Sequence, residues 1–188
     1  MQARSPGENL KPIWANYKFG YADEAGLVVI EPQFDVAYPF FDGLALVNIA
    51  GKNGYIDTTG HFVIEPRLGE AGRFSEGLAF VRLGANYGYI DKKGEIAIGP
   101  QFNGAGHFSE GLARINIADE APDRHGKWGY INKSGEVVIA PQFTAAYDFA
   151  EGVARVIIGG YRVGHGRLEG GKELYIDKAG NKIMEAND

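Results

Sequence analysis

The sequence contains no cysteine, no excess of positive charge and no long apolar segment, and each absence excludes a class of function. Without cysteine the chain can form no disulfide and offers no thiolate to a metal. Its 188 residues carry 19 basic and 24 acidic side chains, for a net charge of −5. This balance argues against a partner that is a nucleic acid or an anionic membrane. No apolar run approaches the ~20 residues that a membrane-spanning helix needs, so we expect no membrane span.

The two ends and the length of the chain give further expectations. Residues 1–9 are polar and show no secretory signal, so we expect a flexible N-terminal segment there. Residues 10–185 have a length typical of one domain. The lack of cysteine is compatible with any compartment. The sequence therefore leaves both a cytoplasmic and an exported location open.

One short motif recurs along the chain. It reads Gly-Tyr-Ile-Asp at Gly54 and Gly88 and Gly-Tyr-Ile-Asn at Gly129, with a related version at Gly20. The first three of these glycines, Gly20, Gly54 and Gly88, are spaced by a period of 34 residues, and Gly129 follows Gly88 after 41. Such periods are typical of repeat architectures. We predict units at about 19–52, 53–86, 87–127 and 128–172, and a fifth unit split between 10–18 and 173–185.

The pattern within each unit predicts three short strands. In the third stretch of one unit, Ala45, Val47 and Ile49 occupy alternate positions, a period of two that is typical of a strand. Between the first and second stretches, sequences such as Asp57-Thr58-Thr59-Gly60 predict a type I turn with a glycine bulge. A proline follows the second stretch of the four complete units, and we expect it to end that strand because it cannot donate to the ladder. These prolines are Pro32, Pro66, Pro100 and Pro141.

The two ends of the chain complement each other. Residues 10–13 align with a third strand, whereas residues 174–184 supply a first and a second strand. One unit divided between the termini suits a closed propeller-like ring, which leaves no exposed edge. The degraded last copy instead favours an open β-solenoid. We therefore predict an all-β tandem repeat of about five three-stranded antiparallel units, with ring and solenoid as alternatives.

The repeated motif resembles a known family. The motif begins with an aromatic residue and Gly-Tyr-Ile-Asp, continues with a second glycine and an apolar run to proline, and ends with Glu-Gly-Leu-Ala. This order is similar to the WG (KWG) repeat of bacterial proteins. Lys127-Trp128-Gly129 shows the full signature. The resemblance covers about 10–184. Phe19, Asn53 and Tyr87 replace the tryptophan in other copies. The resemblance implies a β-rich scaffold without a common enzymatic activity, often attached to other domains or exported, and it implies no site residues.

Acidic residues and histidines are the candidates for chemistry. Asp57 and Asp91, and likewise Glu76 and Glu110, recur once per unit at turns. Capping of the turn explains such recurrence, whereas a hydrolase needs one pair in one cleft. The four histidines show no spacing typical of metal ligands. We predict no catalytic residue, no metal site and no cofactor.

Two insertions distinguish the third and fourth intervals from the first two. They span about 118–126 and 159–171, and both lie between a third strand and the next first strand. Equivalent loops of a repeat array project from the same edge, so we expect a common rim suited to binding a protein or an anionic group. The alternative is that they are tolerated, solvated insertions without a partner. The candidate residues are Arg124, His125, Tyr161, Arg162, His165 and Arg167.

A second candidate surface is the row of outward positions on the third strands. Phe80, Arg114 and Arg155 occupy one position in successive units, with Arg82 beside Phe80. In a stacked array this row would form a ladder on the surface, whereas in a closed ring its apolar members would belong to the core. Both interpretations remain open at the level of the sequence.

The sequence thus favours a non-enzymatic binding module that contacts another protein, such as a toxin that it neutralises or a cell-surface component. A glycan-binding or glycan-hydrolysing protein is one alternative, because the chain contains 10 tyrosines, 11 phenylalanines and 2 tryptophans that could stack on sugars. A structural spacer is the other. The oligomeric state cannot be predicted from the sequence.

Overall fold

A computed structural model describes residues 9–118, 126–163 and 167–185 of the chain. All regular secondary structure in these residues is β, in five antiparallel sheets of three or four strands and one separate hairpin. The all-β repeat architecture predicted from the sequence is therefore confirmed. The choice between a closed ring and an open solenoid stays a prediction.

Each sheet is a sequential meander of neighbouring strands. The first sheet contains β1 (Lys11–Ala15), β2 (Lys18–Ala22) and β3 (Val28–Phe34). The second contains β4 (Val36–Phe41), β5 (Leu44–Ile49), β6 (Lys52–Ile56) and β7 (Phe62–Leu68), and the third contains β8 (Leu78–Leu83), β9 (Asn86–Asp91) and β10 (Ile96–Phe102). The fourth contains β11 (Gly104–Ser109), β12 (Leu112–Ile117), β13 (Lys127–Asn132) and β14 (Val137–Phe143).

The fifth sheet is interrupted by the separate hairpin. Its strands are β15 (Ala145–Ala146), β16 (Ala154–Ile158), β19 (Lys172–Ile176) and β20 (Lys182–Glu185). Between β16 and β19 the chain forms β17 (Tyr161–Val163) and β18 (Arg167–Glu169), which pair with each other. We call β17 and β18 the insertion hairpin.

The sheets combine strands from consecutive sequence repeats. The second sheet, for example, runs from Val36 to Leu68 and joins the third strand of one repeat to the first two strands of the next. The predicted unit boundaries and the single-domain assignment stay predictions. By its internal contacts the chain divides into two compact units, Met1–Gly84 with Tyr89–Ala97, and Ala85–Gly88 with Ile98–Asp188.

The link after each proline is a strand where the pattern predicted none. It forms β4 and β11, shortens to two residues in β15, and is reduced to isolated bridges in the third sheet, between Ala71 and Val81 and between Ser75 and Leu78. The proline also does not end the second strand, because β3 continues past Pro32 to Phe34 and its counterparts do the same. The second strand is the outermost strand of its sheet, where a missing N–H donor is tolerated.

The glycine of the motif is required by the proline-containing segment opposite. A Cβ on Gly129 would lie 2.5 Å from the carbonyl oxygen of Ile139 and 2.7 Å from the nitrogen of Pro141. The same close approach occurs at Gly20, Gly54 and Gly88. The register between the first and second strands shifts at Gly20, Gly54 and Gly129. In the last copy Leu174 takes this position, and its partner strand β20 contains no proline.

The hydrophobic cores lie between consecutive sheets. In the first compact unit, one cluster joins Tyr21, Ile30 and Phe34 of the first sheet to Val47 and Ile56 of the second. A second cluster joins the second sheet to the third in the same way. In the second compact unit, one cluster joins the fourth sheet to the fifth. Burial of aromatic and β-branched side chains at these junctions stabilises the repeat, because no single sheet can cover its own face.

The tyrosine of the motif is a fixed part of each junction. The side chains of Tyr21, Tyr55 and Tyr130 are fully buried. Their hydroxyl groups donate to the backbone carbonyls of Tyr38, Gly72 and Tyr147, at 2.8, 2.5 and 2.7 Å. Each acceptor lies 17 residues further on, within the first strand of the next sheet (Tyr38) or directly after its first strand or bridge (Tyr147 and Gly72). The hydrogen bond satisfies the polar end of a buried ring, so these tyrosines belong to the core.

Candidate binding surfaces

The recurring Asp or Asn of the motif caps its own turn, as the sequence predicted. Oδ1 of Asp57 accepts hydrogen bonds from the backbone N–H groups of Thr59 and His61, at 2.9 and 3.1 Å. Asp91, Asn132 and Asp177 repeat this arrangement. Hydrogen bonds from Asn181 hold the pKa of Asp177 below its ordinary value. Carboxylates used in this way stabilise turns and are poorly suited to proton transfer.

The second row of acidic residues has a different role, which the sequence did not reveal. Asp42, Glu76, Glu110 and Glu151 each adopt a left-handed conformation, with φ between 53° and 57°. Oδ2 of Asp42 accepts the backbone N–H of Gly77 at 2.6 Å, and Oε2 of Glu110 accepts that of Gly152 at 2.9 Å. Both glycines lie in the equivalent turn of the following sheet. These carboxylates therefore tie one sheet to the next.

A lysine from the following sheet completes this contact. Nζ of Lys178 lies 3.0 Å from Oε2 of Glu110, and Nζ of Lys92 lies 3.9 Å from Oδ1 of Asp42. The hydrogen bond from Lys178 and that from the Gly152 backbone keep the pKa of Glu110 below its ordinary value. The two acidic rows thus have structural partners.

The row of outward positions on the third strands contains groups with defined partners. Nε of Arg114 lies 3.0 Å from Oδ1 of Asp148, an ion pair whose orientation does not make a hydrogen bond. Nη1 of Arg114 donates to the carbonyl of Ala146 at 2.9 Å, and its guanidinium lies 5.5 Å from the Trp128 ring.

Arg155 is held in a similar way beside it. Nη1 of Arg155 donates to Oε2 of Glu173 at 3.0 Å, and its guanidinium lies 3.9 Å from the centre of the Tyr147 ring. The two arginines thus contact residues that are adjacent in the chain, Asp148 for Arg114 and Tyr147 for Arg155. Neither Tyr147 nor Asp148 was predicted from the sequence, because both lie in the link after the proline, where the pattern predicted no strand.

The other two members of the row lie in the first compact unit. Phe80 is half-buried and covers Gly72, because a Cβ on that glycine would lie 2.2 Å from the phenylalanine ring. Arg82 is exposed. Leu46, at the position equivalent to Phe80, is buried in the core between the second and third sheets. The row is therefore apolar and at least partly buried at Leu46 and Phe80, and charged at Arg114 and Arg155.

The insertions are described in part. Residues 119–125 and 164–166 lie outside the described residues, and with them Arg124, His125 and His165. The structure places Tyr161 and Arg162 on β17 and Arg167 on β18. These strands pair in register, with Tyr161 opposite Glu169 and Arg162 opposite Leu168. Whether the two insertions form a common rim stays a prediction.

Four glycines form a narrow base for the insertion hairpin, which we call the glycine neck. Gly159, Gly160, Gly170 and Gly171 all have positive φ, between 66° and 90°. A Cβ on Gly160 would lie 2.7 Å from the carbonyl oxygen of Gly170, and one on Gly171 would lie 2.9 Å from the Ile157 side chain. Other residues would be strained here, because left-handed backbone and close approach both favour glycine.

An open depression of about 490 Å³ lies in the first compact unit. Its lining includes the apolar residues Phe41 and Pro39 and the charged residues Lys11, Glu24 and Asp42. Arg73 covers the ring of Phe41 at 4.2 Å. The lining groups could hold a small amphipathic molecule.

Other classes of site were tested on the described residues. Within 9–118, 126–163 and 167–185, no three His, Asp or Glu side chains come together as a metal site would require. His61 contacts the hydroxyl of Thr59 through Nδ1 at 2.6 Å, beside the capped turn. Among the residues that the structure describes, there is also no helix with the length and apolar character needed to cross a bilayer.

Comparison with known proteins shows one family relationship. A family model described as the WG containing repeat matches residues 19–52, 54–87, 87–119 and 128–161. No curated protein sequence matches the chain.

Solved structures resemble the chain in fold, at very low sequence identity. Kluyveromyces lactis Hsv2 aligns with a TM-score of 0.51 at 8% identity, over 95% of this chain and 60% of that one. A eukaryotic initiation factor aligns with a TM-score of 0.50 at 10% identity, over 97% and 64%. Puromycin hydrolase aligns with a TM-score of 0.48 at 13% identity, over 88% and 32%. The chain thus spans less than two thirds of each of these structures, and the likeness concerns the β fold alone.

Proposed function

The chain belongs to the family of proteins built from the WG containing repeat, and from this premise we propose that it is a non-enzymatic module that binds another protein. The insertions at 118–126 and 159–171 form the contact surface in this proposal. The partner is a dedicated bacterial protein, such as a toxin that the module neutralises or a cell-surface component.

The observation that carries the proposal is the glycine neck. A tolerated, solvated insertion needs no particular backbone geometry at its base. Here four glycines with positive φ allow the two legs of the insertion to approach closely, and the insertion then pairs with itself as β17 and β18. Such an element holds its backbone in one register, and binding sites on regular, rigid elements are more precise than sites on irregular loops.

The residue types of the insertion hairpin suit a protein partner. Tyrosine and arginine are enriched among the residues that dominate binding energy in interfaces. The hairpin carries Tyr161, Arg162 and Arg167 on a chain whose net charge is −5. A local basic group on an acidic protein favours a partner with an acidic patch, since opposite charges steer association.

Catalysis is disfavoured by the state of the acidic groups. Asp57, Asp177 and Glu110 each have backbone and side-chain partners, which keep them ionised and fixed. Sugar stacking by the recurring tyrosines is also disfavoured, because Tyr55, Tyr89 and Tyr130 are fully buried. These observations support a binding module over a glycan hydrolase.

The test is affinity capture from lysate and culture supernatant of the source organism, with mass spectrometry of the retained proteins. The bait variants are the intact chain and a triple variant with Arg124→Ala, Arg162→Ala and Arg167→Ala. The control is Arg67→Ala, which removes an exposed arginine of β7 outside the insertions.

We expect one protein to be retained by the intact chain and by the control, and lost by the triple variant. The thermal unfolding midpoint should hardly change, because exposed substitutions usually cost less than ~0.5 kcal/mol. Equal retention by all three chains, or a parallel loss of folding and binding in the triple variant, would contradict the assignment of the surface. Retention of a glycan instead of a protein would favour the glycan-binding alternative, and retention of nothing would favour a spacer.

A further inference from the structure

The contact between consecutive sheets contains one pair of residues that recurs four times. The inward isoleucine of the second strand packs against the turn glycine of the following sheet. The distance from the isoleucine side chain to a Cβ built on the glycine is between 3.0 and 3.3 Å each time. The pairs are Ile30 with Gly60, Ile64 with Gly94, Ile98 with Gly135, and Ile139 with Gly180.

Met184 occupies the same position in the fifth sheet, and no turn glycine packs against it within the part of the chain that the structure describes. It pairs with Tyr175 as Ile139 pairs with Tyr130 and Ile64 with Tyr55. The four isoleucines are 3 to 4% exposed, whereas Met184 is 52% exposed. Tyr175 is only partly buried, and its hydroxyl contacts Glu173 at 3.4 Å instead of a backbone carbonyl.

Gly26 of the first sheet is the counterpart of the four turn glycines, but no isoleucine of the described residues packs against it. It has the same left-handed φ, 83°, and its N–H donates to the carbonyl of Asp23, as the N–H of Gly60 does to that of Asp57. A Cβ on Gly26 would meet no heavy atom within 4 Å. The next residue, Leu27, is 68% exposed, and its counterparts in the other turns are polar.

The acidic turns show the same pattern at the fifth sheet. Asp42 and Glu110 each accept a backbone N–H from the following sheet. Glu151 is in the equivalent turn of the fifth sheet and makes no such bond with any residue that the structure describes. The fifth sheet therefore carries an apolar residue, Met184, and a carboxylate, Glu151. Their counterparts in the other sheets contact the following sheet.

We propose that the fifth sheet of one molecule docks on the first sheet of a second copy of this chain, with Met184 against the turn at Gly26. This continues between molecules the contact that already joins the sheets within each compact unit. Such a contact is heterologous, because the two surfaces that meet are different. The inference does not depend on the proposed function, since it involves neither insertion.

Two charged residues of the first sheet limit the strength of this contact. Lys11 occupies the position of the buried alanines Ala45, Ala79, Ala113 and Ala154. Glu24 occupies the position of Lys92 and Lys178, the lysines that pair with an acidic turn. In the docked pair, Glu24 of one copy faces Glu151 of the other, and like charges repel. Association is therefore weak and depends on protein concentration.

The test is sedimentation velocity of the full chain over a concentration series. Met184→Glu should abolish association, whereas Ile183→Glu is the matched control, because Ile183 is 49% exposed and its counterparts Val29, Val63 and Val138 are exposed in their own sheets. Glu24→Lys should strengthen association by about three- to tenfold, the range expected when an exposed ion pair replaces a repulsion. A monomer at every concentration for both the intact chain and Glu24→Lys, or equal effects of the two Glu substitutions, would overturn the proposal.

Disulfide trapping distinguishes this arrangement from other dimers. The chain contains no cysteine, so a Met184→Cys chain and a Leu27→Cys chain each carry a single thiol. Mixed and oxidised, they should form a heterodimer between the two chains in preference to either homodimer. An Ile183→Cys chain in place of the first should give less heterodimer. Homodimers only, or the same yield with Ile183→Cys, would overturn the head-to-tail contact.

Discussion

The substitution Gly129→Ala tests the packing of the repeat at a single atom. The added Cβ would lie 2.5 Å from the carbonyl oxygen of Ile139, about 0.9 Å closer than the 3.4 Å at which ordinary contacts begin. The nitrogen of Pro141, at 2.7 Å, and the carbonyl carbon of Ala140, at 2.9 Å, are also too close. All the atoms in the way belong to the backbone of β14, so no side chain can rotate to make room.

The expected cost follows from this geometry. Overpacking that forces backbone shifts costs about 1–3 kcal/mol, and we expect the upper end of that range here. For a chain of this length, a loss of about 3 kcal/mol lowers the thermal midpoint by roughly 6–12 °C. Urea denaturation followed by circular dichroism and thermal unfolding would both measure it.

Gly99→Ala is the matched control. A Cβ on Gly99 would meet nothing within 4 Å, and Ala140 occupies the equivalent position in the next sheet. We expect a change within about 0.5 kcal/mol, because an exposed and unstrained position tolerates alanine. If Gly129→Ala and Gly99→Ala have the same stability, the close approach of the two strands is not what requires the glycine.

Two further predictions concern the junctions between sheets. Tyr130→Phe removes the hydroxyl of a fully buried side chain, which donates to the carbonyl of Tyr147 at 2.7 Å, and it should cost about 1 kcal/mol in urea denaturation. Tyr175→Phe should be nearly neutral, and the reverse order of the two costs would be inconsistent with the assigned bonds. The pKa of Glu110 is lowered in the folded state, chiefly by the hydrogen bond from Lys178. The ionised Glu110 side chain therefore stabilises the fold above its unfolded pKa of 4.5. This stabilisation is lost as the pH falls through the lower folded pKa. Glu110→Gln should therefore reduce the loss of stability between neutral and acidic pH in pH-dependent denaturation, and an unchanged loss would refute the tie to the following sheet.

The sequence predicted those parts of the fold that depend on local chemistry. Alternating apolar residues and the turn at Asp57 to Gly60 indicated strands and hairpins correctly, because side-chain direction and turn type depend on neighbouring residues. The role of Gly129 was not predicted, because its constraint comes from Pro141 on another strand. The added strand β4 was missed because its sequence, with Pro39 near its end, does not alternate.

The candidate surfaces were less predictable, for a physical reason. A period of two indicates which face of a strand a residue occupies, but it does not say which sheet will cover that face. Thus Leu46 and Arg114 shared one position in the repeat, yet the structure buries the first and pairs the second with Asp148. The 52% exposure of Met184 likewise has no signal in its own segment, because Met184 occupies the same position as the buried Ile139.

The most direct test of the binding function replaces the insertion hairpin itself. Residues 159–171 would be exchanged for the two-residue connection Ala50-Gly51, which joins β5 and β6 in the second sheet. Because β16 and β19 pair from Ile158 to Lys172 on either side of the insertion, the fifth sheet should remain intact. Binding of the captured protein to both chains would then be measured by calorimetry. The account predicts an unchanged unfolding midpoint and a loss of affinity of at least about 100-fold, the effect of removing a dominant cluster of contact residues. Full affinity without the hairpin would show that the module binds through another surface.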